Sequence, residues 1–163
     1  MSRRFRTADQ SDADKIVALH QLPHAWGSGP IPTVDQVRSH LATTEDPVFI
    51  VERDGEVAGY VFLKVEETWL IEVREIIVAE PGHGDAQYAM DEALRWAFNH
   101  IGARRIYTAV VVSNDRASRF YERFGFKLEG VWREGFRHEN GAFSDLRFYG
   151  LLQREYVPLV TIE

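Results

Sequence analysis

Tyr121 places a hydroxyl in an otherwise apolar helical stripe. Ala117, Phe120, Tyr121 and Phe124 recur at helical spacing, after Ser113, Asn114 and Asp115, whose side-chain oxygens can cap a helix start. Gly125 then supplies a left-handed stop before Phe126. A phenol with a pKa near ~10 stays protonated at neutral pH and can donate to a developing base. At the edge of a core the same residue would be amphipathic packing, and the helix alone allows both readings. A second group is the run Glu80-Pro81-Gly82-His83-Gly84-Asp85-Ala86. Small residues ahead of a helix let its first backbone N–H groups approach an anion such as a phosphate, although such a run also serves as a plain turn. His83 either donates to that anion or is an exposed loop residue. Asp85 adds a negative charge there unless it points away. Glu72 and Glu75 are candidate general bases, acting directly or through water. Being an odd number of residues apart, they project to opposite faces of a regular strand, so at most one serves, and Glu75 is preferred. Pairing with Arg74 is the alternative use of both.

The elements that must position these groups follow from periodicity. Phe5–Thr7 reads as a strand and Asp12–His20 as a helix opened by Ser11 and Asp12. Leu22–Pro32, with three prolines and two glycines, is a loop. A second helix starts at Thr33 or Asp35 and ends near Leu41. Val48–Val51, Asp54-Gly55 and Val57–Val65 form a hairpin signal. Trp69–Val78 is a longer central strand, and Ala86–Ile101 carries the buried face of a helix that Gly102 ends. Arg105–Val112 delivers the chain to Ser113. Arg133–His138, Asn140-Gly141 and Phe143–Leu152 make a second hairpin. Strand, two helices, three strands, helix, strand, helix and two strands predict an α+β layer around a mixed sheet.

The chain of 163 residues, 45% hydrophobic and 27% charged, suits one soluble domain spanning residues 1–163. It contains no cysteine, which excludes a thiolate nucleophile or a thiolate zinc site. His20 and His24 are four apart, but Pro23 interrupts them and no HExxH pattern exists, so no metal is expected. A net charge of −6 without a basic tract argues against nucleic acid as a partner. The absence of a long apolar run or signal-like start argues against a membrane and leaves a cytoplasmic location as the expectation.

The pattern Asn114, Ala117, Tyr121, Gly125, Phe126 resembles that of the GCN5-related N-acetyltransferase (GNAT) family. The continuation Lys127–Glu134 and Ser144–Leu152 resembles the RimJ/RimL-like subgroup, which acetylates ribosomal-protein N-termini. The resemblance covers nearly the whole chain and is most specific from Ile76 to Leu152. It implies a mixed, mostly antiparallel central sheet flanked by helices on both faces. It also implies acetyl-CoA as acyl donor, and a primary amine as acceptor: a protein N-terminus, an amino acid or another small amine. In the family the loop after the central strand reads Arg/Gln-x-x-Gly-x-Gly/Ala and holds the coenzyme's pyrophosphate. Gly84 and Ala86 match the last two positions, while Pro81 stands where Arg or Gln is expected and the loop is about two residues shorter. The cofactor contacts so implied are Ile77, Val78, Gly82, His83, Gly84, Asp85, Ala86, Gln87, Asn114, Ser118 and Tyr121.

Transfer from a thioester to an amine requires a neutral amine, a stabilised oxyanion and a protonated leaving thiolate. By resemblance, a backbone N–H in Ile76–Val78 serves the oxyanion, and pantetheine adds there like an extra strand. Tyr121 takes the position of the residue that protonates the thiolate, and Glu75 is the preferred base. A lysine-like amine, with a pKa near ~10.4, needs more help from that base than an N-terminal amine near ~8. His24 and Trp26, in the loop where the family builds its acceptor wall, and Glu72 are the expected acceptor contacts; packing the loop down is the alternative role for Trp26. Oligomeric state, with a homodimer as one option, is left open by the sequence. Pro81 and the short loop also motivate a different expectation, a non-catalytic GNAT-fold module that senses acyl-CoA or binds a partner.

Overall fold

The computed structural model describes residues 1–26 and 29–158. Seven strands, β1 (Arg3–Thr7), β2 (Val48–Arg53), β3 (Glu56–Glu67), β4 (Leu70–Val78), β5 (Arg105–Val111), β6 (Lys127–Arg137) and β7 (Phe143–Leu152), form one sheet. Their order is β1-β2-β3-β4-β5-β7-β6. Among the described residues four α-helices accompany the sheet: α1 (Ala13–His20), α2 (Val34–Thr43), α3 (Asp85–Arg95) and α4 (Asp115–Arg123). The expected order of elements is met among the described residues; residues 27 and 28 of the expected Leu22–Pro32 loop lie outside them. The first hairpin turns at Asp54 and Gly55, both at positive φ (52° and 86°), as a two-residue turn requires. Two details differ at helix ends. The segment before α1 is capped by Asp9, whose side chain accepts from the backbone N–H of Ser11. The end of the long α3 pattern, Trp96–Ile101, widens into a π turn before Gly102.

Alternation along the strands divides the core in two. One face carries Val61, Leu63, Ile71, Val73 and Ile106 against α3 and α4, with Met90, Leu94 and Tyr121 buried there. The other carries Ile50, Tyr60 and Ile77 against α1 and α2, through Ile16, Val17, Leu19 and Val37. Helices therefore cover both faces, each through an apolar stripe that has no other place to be buried.

One pairing in the sheet is parallel, and it is short. β4 and β5 pair only at Leu70–Glu72 against Arg105–Tyr107, and then both strands run on without each other. The buried Thr108 hydroxyl donates to the Val73 carbonyl at 3.0 Å, just where the strands part. All other neighbouring strands are antiparallel and keep their pairing over longer stretches.

Candidate active site

The parting of β4 and β5 opens a cleft of about 450 Å³ in the middle of the sheet. Its walls are Arg74–Val78 and Thr108–Val111, its floor is the first turns of α4, and its mouth meets the loop before α3. In an antiparallel pair only alternate backbone groups bond to the partner strand. Beyond Val73, whose carbonyl takes the Thr108 hydroxyl, the outward-facing N–H and C=O groups of β4 therefore turn to the cleft and not to β5. His24, from the short turn Pro23–Ala25 after α1, bonds the Val78 carbonyl through its Nε2 at 2.7 Å.

At the loop, Gly82 and Gly84 adopt positive φ (91° and 79°), and Gly84 stands at the N-cap of α3 with no side chain capping the helix. The first N–H groups of α3 thus remain available to an anion. Asp85 does not compete with that anion. Its carboxylate is fully buried and turned toward the strands, 2.9 Å from Arg3 Nε and 3.4 Å from Arg53 Nε. Arg3 also donates to the His83 carbonyl, and Arg53 to Glu80 at 2.8 Å. Side chains from β1 and β2 thus hold the loop in shape, and the carboxylate that threatened the phosphate site is part of that brace. A phosphate group fits this loop.

Tyr121 reaches the cleft from α4, with its ring edge-on to Phe120 and Phe126. Burial pushes its phenol up to about 12, and the Thr108 hydroxyl partly opposes the shift. Asn114 caps α4, its Oδ1 accepting from the Ala117 N–H at 3.1 Å, and also borders the cleft.

Glu75 lines the cleft, and its placement corrects the alternation expected of β4. A bulge sets Glu75 opposite Phe62 but Val73 opposite Leu63, so Arg74 has no partner on β3. One extra residue inverts the parity that follows it. Glu72 and Glu75 consequently lie on the same face, the one covered by α1 and α2. Glu75 Oε2 sits 3.1 Å from Nε2 of the buried His20, and that nitrogen also bonds Tyr60 Oη at 2.8 Å. Tyr121 belongs to the α3/α4 face and Glu75 to the α1/α2 face. The gap between the strands is where the two sides of the sheet communicate.

Of the residues singled out from the sequence, the structure brings Ile77, Val78, Gly82, Gly84, Ala86, Gln87, Asn114, Tyr121, Glu75, His24 and Trp26 around the one cleft. Three lie elsewhere. Glu72 is in the stretch where β4 and β5 are still paired, and it meets Arg74 at 3.3 Å. His83 turns its ring to Glu80 at 3.3 Å. Ser118 is buried on the side of α4 that faces β7, with Arg147 Nη1 3.5 Å from its Oγ. Asp85 borders the cleft through its backbone position alone. Residues not anticipated include Thr108, Arg116 and Arg123. Thr108 had a signal, as the single hydroxyl among the inward positions of an apolar strand.

Residues 14–126 match the Acetyltransferase (GNAT) family. An uncharacterised N-acetyltransferase of Mycobacterium bovis is 30% identical over 147 residues, covering 80% of this chain and 94% of the relative. The spermidine N(1)-acetyltransferase of Vibrio cholerae is 29% identical over 141 residues, 81% of this chain and 80% of the relative. Among solved structures, a chimera of a Vibrio cholerae spermidine N-acetyltransferase with hSSAT superposes with a TM-score of 0.85 at 26% identity, covering 96% of this chain and 98% of that one. With a split sheet and an uncapped helix joined at one cleft, and these relatives beside it, the chain belongs to the GNAT family of N-acetyltransferases, whose acyl donor is acetyl-CoA.

Proposed function

We propose that this enzyme transfers the acetyl group of acetyl-CoA directly to a primary amine held across the gap between β4 and β5. The observation that carries the reading is the opening itself: Tyr121 enters it from one face of the sheet and Glu75 from the other. The donor lies with its diphosphate at Gly82, Gly84 and Ala86 and its pantetheine arm along Ile76–Val78, using strand groups that have no partner strand. His24 already occupies the Val78 carbonyl, so the arm's hydrogen bonds fall on the residues before it. The amine approaches from the α1/α2 side, past His24 and Trp26. Glu75 accepts its proton, and His20 with Tyr60 holds that carboxylate in place. Nitrogen attacks the thioester carbonyl, the oxyanion forms beside a β4 backbone N–H, and the C–S bond breaks as Tyr121 offers its proton to sulfur.

For the acceptor, the named relatives favour a small aliphatic amine of the polyamine kind. A ribosomal-protein N-terminus, as in the RimJ/RimL-like subgroup, is the second reading, and it rests on the sequence from Lys127 to Leu152. Against a non-catalytic module, which Pro81 and the short loop suggested, stand the N-acetyltransferase relatives and the open N-terminus of α3. Calorimetry with acetyl-CoA, followed by thiol release across polyamines, amino acids and N-terminal peptides, tests the proposal. Micromolar donor binding and turnover on one acceptor class are expected. No binding at millimolar donor would refute it.

A further inference from the structure

Thr108 puts a hydroxyl on β5 where the core would accept a wholly apolar side chain. Its neighbours on the same face, Ile106 and Val110, belong to the core under α3 and α4, and Thr108 itself is buried. The register of the strands gives that hydroxyl a place in the sheet. Arg105 N–H bonds the Trp69 carbonyl at 3.1 Å, where the parallel pairing of β4 with β5 begins. Rungs donated by one strand of a parallel ladder recur every two residues. The N–H of Tyr107 therefore falls to the Ile71 carbonyl, and that of Ala109 would fall to the Val73 carbonyl. The pairing stops at Glu72 opposite Tyr107, one rung short of that last bond. The Val73 carbonyl accepts from the Thr108 hydroxyl instead. Ala109 does not turn its N–H to β7 either. Val112 N–H bonds the Asp145 carbonyl, so even-numbered residues of β5 face their N–H groups to β7 and odd-numbered ones to β4.

We infer that Thr108 is a positioning residue: by taking the Val73 carbonyl on its side chain it ends the parallel pairing of β4 and β5 and fixes where the cleft begins. Without the hydroxyl, the buried Val73 carbonyl would be left unpaired, and the donor in register with it is the Ala109 N–H. Closing that rung would carry the fork two residues along the strands, roughly 7 Å, to the level of Glu75. A valine would fill the same space and leave the strands free to zip. The bulge at Arg74 follows Val73 at once, so the hydroxyl pins β4 at the last residue before it bends. Tyr121 lines the cleft with Thr108 and belongs to the same core face, so the opening of the sheet is held in register with the phenol. The same hydroxyl partly opposes the upward push of burial on Tyr121.

The kinetic consequence of this inference rests on the proposed reaction, but its first readout needs no substrate. Backbone amide exchange is followed residue by residue by NMR in the wild type and in Thr108→Val. In the wild type, Ala109 is expected to exchange roughly 100-fold faster than Thr108 and Val110, whose N–H groups bond β7. In Thr108→Val the new rung should slow Ala109 by about tenfold or more. The kcat/KM for acetyl-CoA should fall roughly 10- to 100-fold as the reacting centre is displaced. Thr108→Ser keeps the hydroxyl and should hold kcat/KM to within about threefold of the wild type. A thermal melt checks folding, and Thr108→Ala serves if Thr108→Val does not fold. Wild-type exchange at Ala109 as slow as that of its neighbours would overturn the inference, since the rung would already be closed. So would unchanged exchange in a folded Thr108→Val, because the bulge alone would then part the strands. A closed rung with kcat/KM unaltered would remove Thr108 from the positioning role. A wild type that acetylates no amine would refute the proposed function, while the exchange rates would still decide what opens the sheet.

Discussion

Tyr121 is a poor acid by the measure of its surroundings, and this limits how it can act. Its phenol is pushed up to about 12, whereas a thiol in water titrates near ~8.5. Full proton transfer to a solvated thiolate would be uphill by about 5 kcal/mol. In the proposed mechanism, however, the thiolate develops beside the buried Tyr121, where desolvation raises its own proton affinity. On the proposed role of Tyr121, the transfer becomes accessible only as the C–S bond breaks, which would couple proton donation to chemistry. Replacing Tyr121 with Phe keeps the packing against Phe120 and Phe126 and should lower kcat by about 10²- to 10³-fold, with little change in the KM for acetyl-CoA. Since Tyr121 ionises only near 12, the wild-type pH profile should show no descending limb of its making below pH 10. A limb between pH 8 and 10 that disappears in Tyr121→Phe would contradict this account.

At the scale of elements, most of what positions the site was legible, and the exception is instructive. The α4 stripe, its stop at Gly125, the two hairpins and the glycine loop all follow from local rules of spacing and turn chemistry. The bulge at Arg74 does not, because the pairing of β4 with β3 decides it and no residue of β4 announces it. Without the bulge, Glu72 and Glu75 would face opposite ways, as simple alternation has it. The direction of Asp85 was likewise hidden, since its partners Arg3 and Arg53 come from strands far away in sequence. The bulged strand is also tightly backed. A Cβ on Gly59 would lie 2.7 Å from the Ile77 carbonyl oxygen. Gly59→Ala should push β4 toward the cleft, costing about 1–3 kcal/mol of stability and raising the KM for acetyl-CoA several-fold. An unchanged KM in a folded variant would show that this stretch does not carry the donor. Asp85→Asn should leave Arg3 short of its buried partner and destabilise the fold by about 3 kcal/mol. It should also weaken donor binding, because the loop loses its brace. Calorimetry that finds donor affinity unaltered would remove the brace from the binding argument.

Across the whole molecule, the β1–β2 edge of the sheet and the α1 layer are joined by charge as well as by packing. Arg6 on β1 donates two hydrogen bonds to Asp12, at 2.9 and 2.8 Å, where the chain enters α1, and a third at 2.7 Å to Glu52 on β2. Asp12 is nearly buried, and the bonds from Arg6 are the main reason its carboxyl lies below the ordinary 3.8, with burial opposing and a hydrogen bond from the Asp9 N–H adding. A carboxyl depressed by folding contributes stability that is fully present above its unfolded pKa and is lost as pH falls through the folded one. The junction between sheet edge and α1 should therefore weaken below about pH 4. α1 also supplies His20, and the turn after it supplies His24, so the side of the cleft proposed for the acceptor is tied to the same junction. Urea unfolding of the wild type between pH 7 and 2 should show stability falling steeply from pH 4 downward. Asp12→Asn should begin about 1–3 kcal/mol lower at pH 7, because Arg6 keeps only Glu52 as a charged partner. It should then decline less than the wild type over the acid range, since one proton-binding site of the folded state has been removed. Curves that run parallel over pH 4 to 2 would mean that the acid lability of this protein arises elsewhere than at the Arg6–Asp12 junction.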